Sequence, residues 1–204
     1  MVEEFYSSFS KFEGKTNVVR FASQVINSAG IPTSKVYKHP KWEKAADSYF
    51  RWLNGKTRSS LSEHIFSKEA YGKHKFKDYP LGWHSDDIAW LDFSGDKEIY
   101  SINKSLILVR HSDYNITTSN NNLELKSKAS SRFQSDLIFE KLKLFRKSQK
   151  RKLLLNFEIF QKEKQQMEIK YWNFLFIYYF RQGNVLDILK LCRRFALYQV
   201  KKDK

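Results

Sequence analysis

Residues 88–110 read IAWLDFSGDKEIYSINKSLILVR and decide the fold class of this chain. Ile88–Phe93, Glu98–Ile102 and Leu106–Arg110 are short apolar or alternating runs of the kind that form β-strands. Ser94-Gly95-Asp96 separates the first two runs and is typical of a hairpin turn. The stretch therefore predicts a small antiparallel sheet. Its expected limits are residues 86–126, with a fourth strand at 115–118.

The part before the sheet, residues 1–85, shows helical patterns of apolar residues. Three helices are predicted there: residues 17–28, residues 40–53 and residues 60–67. Ser60 and Glu63 have the spacing of a capping box at the start of the third helix. Residues 1–15 are interpreted as a mobile lead-in, and residues 70–82 as a loop.

The part after the sheet, residues 127–204, is predicted to be helical. Neither Pro nor Gly occurs between Gly95 and Gly183, and a helical pattern runs from about residue 132 to residue 182. Gaps in the apolar pattern predict at least one break, near Ser148 or near Gln165. Gly183-Asn184 ends the pattern and caps a final helix.

The final helix is predicted to bury one face and expose another. The predicted buried face comprises Val185, Ile188, Leu189, Cys192, Phe195, Ala196 and Gln199, and the predicted outer face Lys190, Arg193 and Arg194. With the other segments this gives an α+β fold: an N-terminal helical part, a small antiparallel sheet and a basic C-terminal helical region.

The charge of the chain is unevenly distributed. The net charge is +15. Residues 1–125 hold 17 Lys/Arg and 15 Asp/Glu, whereas residues 126–204 hold 20 and 7. Such an asymmetry points to a polyanionic partner, above all DNA or RNA. Lys outnumbers Arg 27 to 10, which we interpret as the coding bias of an AT-rich genome such as that of a phage or mobile element.

Cysteine content and hydropathy exclude several classes of protein. The single Cys192 excludes an intrachain disulfide framework and a cysteine-rich zinc site, so we expect a reducing, cytoplasmic setting or association with a virion. The longest apolar block, Tyr171–Phe180, is too short for a transmembrane segment, which needs about 20 residues. No cofactor is expected.

The candidate binding residues are basic. Five of the seven residues 146–152 are Lys or Arg, and such clusters bind phosphates without reading base sequence. The predicted nucleic-acid-binding set is Arg146, Lys147, Lys150, Arg151, Lys152, Lys190, Arg193 and Arg194. The alternative is a solvated helix face that keeps the chain soluble.

Aromatic residues lie beside this charge, in the predicted helix 167–180. Rings at this density usually form a core. Exposed rings could instead stack on unpaired bases, or serve as the interface of a homo-oligomer or a protein partner.

Acidic residues and histidines offer a metal-site alternative. A metal-dependent nuclease would need carboxylates that converge from the set Asp86, Asp87, Asp92, Asp113 and Glu124, with Lys126 beside them. His84-Ser-Asp86 and His111-Ser-Asp113 repeat one tripeptide and could together ligate a metal. Ordinary surface charges and turns are the alternative explanation, and no catalytic or metal-binding residue is assigned.

Residues 87–119 contain Asp87-Ile88-Ala89 and then Asp113-Tyr114-Asn115-Ile116-Thr117-Thr118-Ser119. This stretch resembles a module of small uncharacterised proteins of phages and low-GC bacteria, in which an Ile-Ala strand is followed by Tyr-x-x-Thr-Thr-Ser. The basic residue and histidine that commonly follow in the module are replaced here by Asn120-Asn121-Asn122. The resemblance implies a mobile-element setting and no known activity.

These observations favour a non-enzymatic, phosphate-binding accessory protein of a phage or mobile element. A structural or assembly protein of a virion or ribonucleoprotein is the alternative, and a metal-dependent nuclease is the second alternative.

Overall fold

The order of helices and strands gives an α+β fold, as the sequence predicts. The computed structural model describes residues 1–111 and 122–202. The helices are α1 (Val2–Phe12), α2 (Ala45–Leu53), α3 (Lys68–His74), α4 (Ser85–Ser94), α5 (Leu123–Asp136), α6 (Lys147–Glu163), α7 (Ile169–Arg181) and α8 (Val185–Lys202). The strands are β1 (Val18–Ile26), β2 (Trp42–Lys44), β3 (His64–Phe66) and β4 (Glu98–Arg110). Short 3-10 turns lie at Leu61–Glu63, Pro80–Gly82 and Leu142–Leu144, and a π-helical turn at Leu137–Lys141.

The chain divides into two compact units, Met1–Gln149 and Lys150–Lys204. The N-terminal unit holds the whole sheet, and the C-terminal unit holds most of α6 together with α7 and α8.

The sheet has the strand order β2-β4-β1-β3 and is mixed. The two central strands, β1 and β4, run parallel, while β2 and β3 pair antiparallel at the edges. The register shifts between Phe21 and Ala22: Phe21 pairs with Ile102, whereas Ala22 pairs with Leu106. The predicted purely antiparallel hairpin is therefore wrong, and its second and third runs form one long strand, β4. The strand predicted at 115–118 lies outside the described residues.

Strand β1 lies where the sequence predicts a helix, so the helix predicted at 17–28 is wrong. Its residues VVRFASQVI are buried almost throughout, because the strand is central and covered on both faces. A central strand reads as a nearly continuous apolar run. Within that run, Val18, Phe21, Ala22 and Val25 happen to have helical spacing.

Helix α4 lies where the sequence predicts the first strand, so the strand at 88–93 is wrong as well. Ile88, Ala89, Trp90, Leu91 and Phe93 are all buried. A helix that is buried on every side shows no helical period, and a short apolar run then fits a strand equally well.

Smaller differences concern the loops. Residues 1–15 contain α1, and residues 70–82 contain most of α3 and a 3-10 turn, so neither is irregular throughout. The capping box of Ser60 and Glu63 is confirmed, but it starts a single 3-10 turn followed by β3, where a full helix was predicted.

The two faces of the sheet differ in character. On one face α1 packs through Phe12 onto the rings and aliphatic chains of Val19, Phe21, Tyr100 and Ile102. The alternate residues of the same strands point to the opposite face, where α4 packs and where Arg20 and Ser101 are buried. Arg20 and Ser101 therefore lie behind the sheet, on the side opposite α1.

The C-terminal helices end where the sequence predicts. The chain is extended at Phe145 just before α6, and Gln165 has a positive φ of 54° between α6 and α7. Asn184 accepts a hydrogen bond from the Asp187 backbone N–H at 3.3 Å, which caps α8. The sequence predicts at least one break, near Ser148 or near Gln165; the helices are interrupted near both positions, and the predicted cap is confirmed.

Candidate functional site

The first part of the predicted basic cluster belongs to the N-terminal unit. The guanidinium of Arg146 forms an ion pair with Asp47 of α2, yet 72% of its side chain remains exposed. Gln149 donates to the same carboxylate at 2.7 Å and accepts from the Arg146 backbone N–H at 2.9 Å. These contacts fix the chain at the start of α6. Lys147 is exposed beside them.

The second part of the cluster belongs to the C-terminal unit. Arg151 donates to the nearly buried carboxylate of Asp187 at 2.7 Å, which joins α6 to α8. Lys150 is half-buried and Lys152 is exposed. Arg151 therefore has a structural contact in addition to its exposed surface.

The cations of α8 fall into two groups. Arg194 donates to Glu158 of α6 at 2.8 Å, and Lys162 donates to the same buried carboxylate at 2.6 Å. Lys190 and Arg193 are exposed, and within residues 1–111 and 122–202 neither forms an ion pair. Of the predicted binding residues on α8, these two are the ones whose charge is directed wholly to solvent.

The aromatic helix α7 is mainly core, as its density of rings indicates. Tyr171, Trp172 and Tyr179 are buried, and Trp172 packs edge-on against Phe195 of α8 at 5.1 Å between ring centroids. Phe180 is an exception and is 76% exposed. The proposed role of this helix in partner binding stays a prediction.

The predicted buried face of the final helix is only partly right: Ile188, Phe195 and Gln199 are half-buried, whereas its other four residues are exposed. Cys192 is exposed, as are Val185 and Leu189. The buried positions are Asp187 and Leu191, and Arg194 is half-buried beside them. Asp187 and Arg194 form ion pairs with Arg151 and Glu158 of α6. Because of these contacts, the less apolar side of α8 packs against α6.

The acidic candidates for a metal site do not form one in the part of the chain that the structure describes. No group of three or more His, Cys, Asp or Glu side chains there could hold a metal ion. Asp92 accepts from Lys141, and Glu124 is exposed and pairs with Lys128 at 3.7 Å. Asp113 and most of the second His-Ser-Asp tripeptide lie outside the described residues.

Asp86 and Asp87, at the start of α4, are the remaining acidic candidates. Burial raises the pKa of Asp86 to about 6, and the neighbouring charge of Asp87 adds to that effect. Asp87 instead pairs with a histidine. His84 contacts the Asp87 carboxylate through Nδ1 at 2.8 Å and the Ser130 hydroxyl of α5 through Nε2 at 3.1 Å.

This three-residue relay was missed by sequence reasoning, which paired His84 with Asp86. His84 has a left-handed backbone conformation just before α4, and Ser130 lies on a helix far along the chain. The spacing of Asp87 three residues after His84 was the one signal present in the sequence.

A second buried polar cluster lies between the sheet and α2. Glu43 forms an ion pair with Arg20 and accepts from Arg51 at 2.6 and 2.8 Å. Arg20 also donates to Ser101 at 2.9 Å and to the hydroxyl of Ser48. Arg20 is only 1% exposed, and burial lowers its pKa.

Two buried histidines flank this cluster. His39 is contacted by Arg51 at 3.2 Å, and His64 stacks on Trp90 at 4.2 Å between ring centroids. Burial, followed by the charge of Arg20, lowers the pKa of His39 to about 2. The pKa of His64 falls to about 3, mainly through burial. Both rings are therefore neutral near pH 7.

Comparisons with family models, curated proteins and solved structures find no match to this chain. Among the described residues, no helix combines the length and apolar character needed to cross a bilayer.

Proposed function

We propose that the protein binds nucleic acid by contacting the phosphate backbone, with the exposed cations of the C-terminal unit as its main contacts. Lys150–Lys204 contains thirteen Lys or Arg and five Asp or Glu. Two of these carboxylates, Glu158 and Asp187, are buried and already paired inside the unit. Among the residues of this unit whose burial is described, seven of the cations have exposed side chains, and this observation carries the proposal.

The cations of α8 and α6 differ in how directly they can contact phosphates. Lys190 and Arg193 lie one turn apart on α8, so both can reach one strand of phosphates. Each neutralised phosphate releases condensed counterions, which gives affinity that depends on salt and is insensitive to base sequence. Arg151 and Arg194 also hold helices together through Asp187 and Glu158, so their replacement would alter stability as well as binding.

The double variant Lys190→Gln/Arg193→Gln is expected to weaken binding to any duplex equally. Fluorescence anisotropy with a labelled duplex, measured from about 50 to about 200 mM salt, should show a steep loss of affinity for the wild type. In the variant, the slope of log affinity against log salt should become shallower by about 0.9 for each lost phosphate contact.

Lys68→Gln/Lys73→Gln is the matched control. It removes the same charge from two exposed lysines of α3 in the N-terminal unit. This control should leave the slope close to that of the wild type. A wild-type affinity that does not change with salt would refute the proposal, and equal effects of the two double variants would refute the assignment to α8.

We further propose that the protein is an accessory protein of a phage or mobile element. The lysine-rich composition and the resemblance of residues 87–119 support it. A single strand of DNA and an RNA of the same length, added as competitors in the anisotropy assay, would show which polymer is preferred.

A further inference from the structure

Ser130, His84 and Asp87 contact one another in the order found in sites where a histidine activates a serine for attack on an acyl carbon. A nucleophile contacts a base, and the base contacts a buried carboxylate that orients it. We propose that Ser130 is a nucleophile that His84 activates, and that it accepts acyl groups from esters. This activity goes beyond the proposed binding of nucleic acid and involves only the N-terminal unit.

The contacts define which nitrogen of His84 carries the proton. An ionised carboxylate only accepts hydrogen bonds, so Asp87 at 2.8 Å holds the proton on Nδ1. Nε2 then presents its lone pair to the Ser130 hydroxyl at 3.1 Å. This is the tautomer that a general base requires.

The base is held in place by packing. The His84 ring stacks on Phe133 of α5 at 4.5 Å between centroids and 12° between planes. Trp83 and Trp52 lie at 5.6 and 6.3 Å from the same ring. Ser130 is half-buried, so part of this residue remains accessible to solvent. The aromatic surroundings favour an apolar acyl group over a charged one.

A cation lies on the same helix as Ser130. Lys126 is one turn before Ser130 on α5, and its ammonium lies 5.0 Å from the centre of the Trp83 ring. Negative charge develops on the carbonyl oxygen when a serine attacks an ester. The proposal assigns the stabilisation of this charge to Lys126, because it lies on the same helix as Ser130.

The proposed reaction has two stages, acylation of Ser130 and hydrolysis of the acyl-serine. The Ser130 Oγ forms a bond to the carbonyl carbon while its proton passes to His84 Nε2. The ester C–O bond then breaks, and the leaving alcohol takes that proton from His84. Water afterwards attacks the acyl-serine with His84 as base, which releases the carboxylic acid and restores the serine.

A fluorophosphonate probe tests the nucleophile directly. In this reaction Oγ bonds to phosphorus, the P–F bond breaks, fluoride leaves and His84 takes the proton. With the full-length chain we expect one label per molecule, located by peptide mass spectrometry on Ser130. Ser130→Ala should abolish labelling, and His84→Gln should slow it about 100-fold. Ser131→Ala, the neighbouring hydroxyl on α5, should be labelled like the wild type.

Two outcomes would overturn the proposal: a folded wild type without label on Ser130, or a His84→Gln variant labelled as fast as the wild type. Circular dichroism of each variant establishes that it is folded. Should His84→Gln fail to fold, Asp87→Asn tests the same step, because an amide can fill the place of the carboxylate without holding the proton on Nδ1. Labelling of Asp87→Asn at the wild-type rate would also overturn the proposal.

Discussion

Glu43→Gln is expected to destabilise the N-terminal unit by about 3–5 kcal/mol, because it leaves a buried positive charge without its partner. The wild-type carboxylate contacts both Arg20 and Arg51. Glutamine has nearly the same shape, so packing is preserved and the lost charge dominates the effect. Arg20 is almost fully buried and cannot turn toward water to recover its hydration.

Urea unfolding followed by tryptophan fluorescence would measure this loss. Four of the five tryptophans belong to the N-terminal unit, and Trp172 is the one in the C-terminal unit. A Trp172→Phe background therefore makes the signal specific for the N-terminal unit. Glu69→Gln, an exposed carboxylate on α3, is the matched control and should change the free energy of unfolding by less than about 0.5 kcal/mol. Similar values for the two variants would show that Glu43 is not needed to balance Arg20.

Capping contacts could be predicted from the sequence because they join residues that are close together in the chain. The capping box at Ser60 and the cap at Asn184 each join residues only three positions apart. The end of α2 at Leu53 follows from Asn54-Gly55, since Gly55 adopts a positive φ of 65°. None of these features requires knowledge of the tertiary structure.

The identity of the buried elements could not be predicted in the same way. β1 and α4 are both covered on all sides, so neither keeps the alternation of apolar and polar residues that distinguishes a strand from a helix. The pairing of β1 with β4 joins residues about 80 positions apart, for example Val19 and Tyr100. No local pattern contains that information.

The candidate sites show the same limit. Composition alone indicates the basic C-terminal region, but not which cations are paired, since Arg194 reaches Glu158 across 36 positions. The relay at Ser130 also depends on a long-range contact, because 46 positions separate it from His84. These polar contacts form only when the fold brings distant residues together. The hydrophobic pattern of the sequence does not indicate which residues will meet.

Acid is expected to destabilise the N-terminal unit well above the pH at which carboxylates usually titrate. His39 and His64 have ordinary pKa values near 6.5 when the chain is unfolded, but about 2 and about 3 in the folded protein. Below about pH 6.5 the unfolded chain therefore binds two protons that the folded chain does not, and stability falls as pH falls. Together the two groups lower the free energy of unfolding by about 5 kcal/mol by about pH 4.5.

Asp86 acts in the opposite direction. Because its folded pKa is raised to about 6, the folded protein takes up this proton before the unfolded chain does. That uptake restores about 2 kcal/mol by about pH 4.5, so the net loss from these three groups is about 3 kcal/mol. The fall continues toward pH 3, because the unfolded chain still binds more protons on the two histidines than the folded chain does, while the opposing effect of Asp86 diminishes as its carboxyl titrates in the unfolded chain near pH 3.8.

Urea unfolding of the Trp172→Phe background at several pH values between about 7.5 and about 4.5 tests this expectation. In His39→Gln and in His64→Gln, each compared with its own stability at the highest pH, the loss should shrink by about 2–3 kcal/mol. His74→Gln replaces an exposed histidine of α3 and should behave like its parent. The physical reason is that Arg20, Arg51 and Arg58 surround the two buried rings with positive charge, so a proton there is disfavoured by desolvation and by repulsion together. An unchanged pH dependence in both buried-histidine variants would contradict this account.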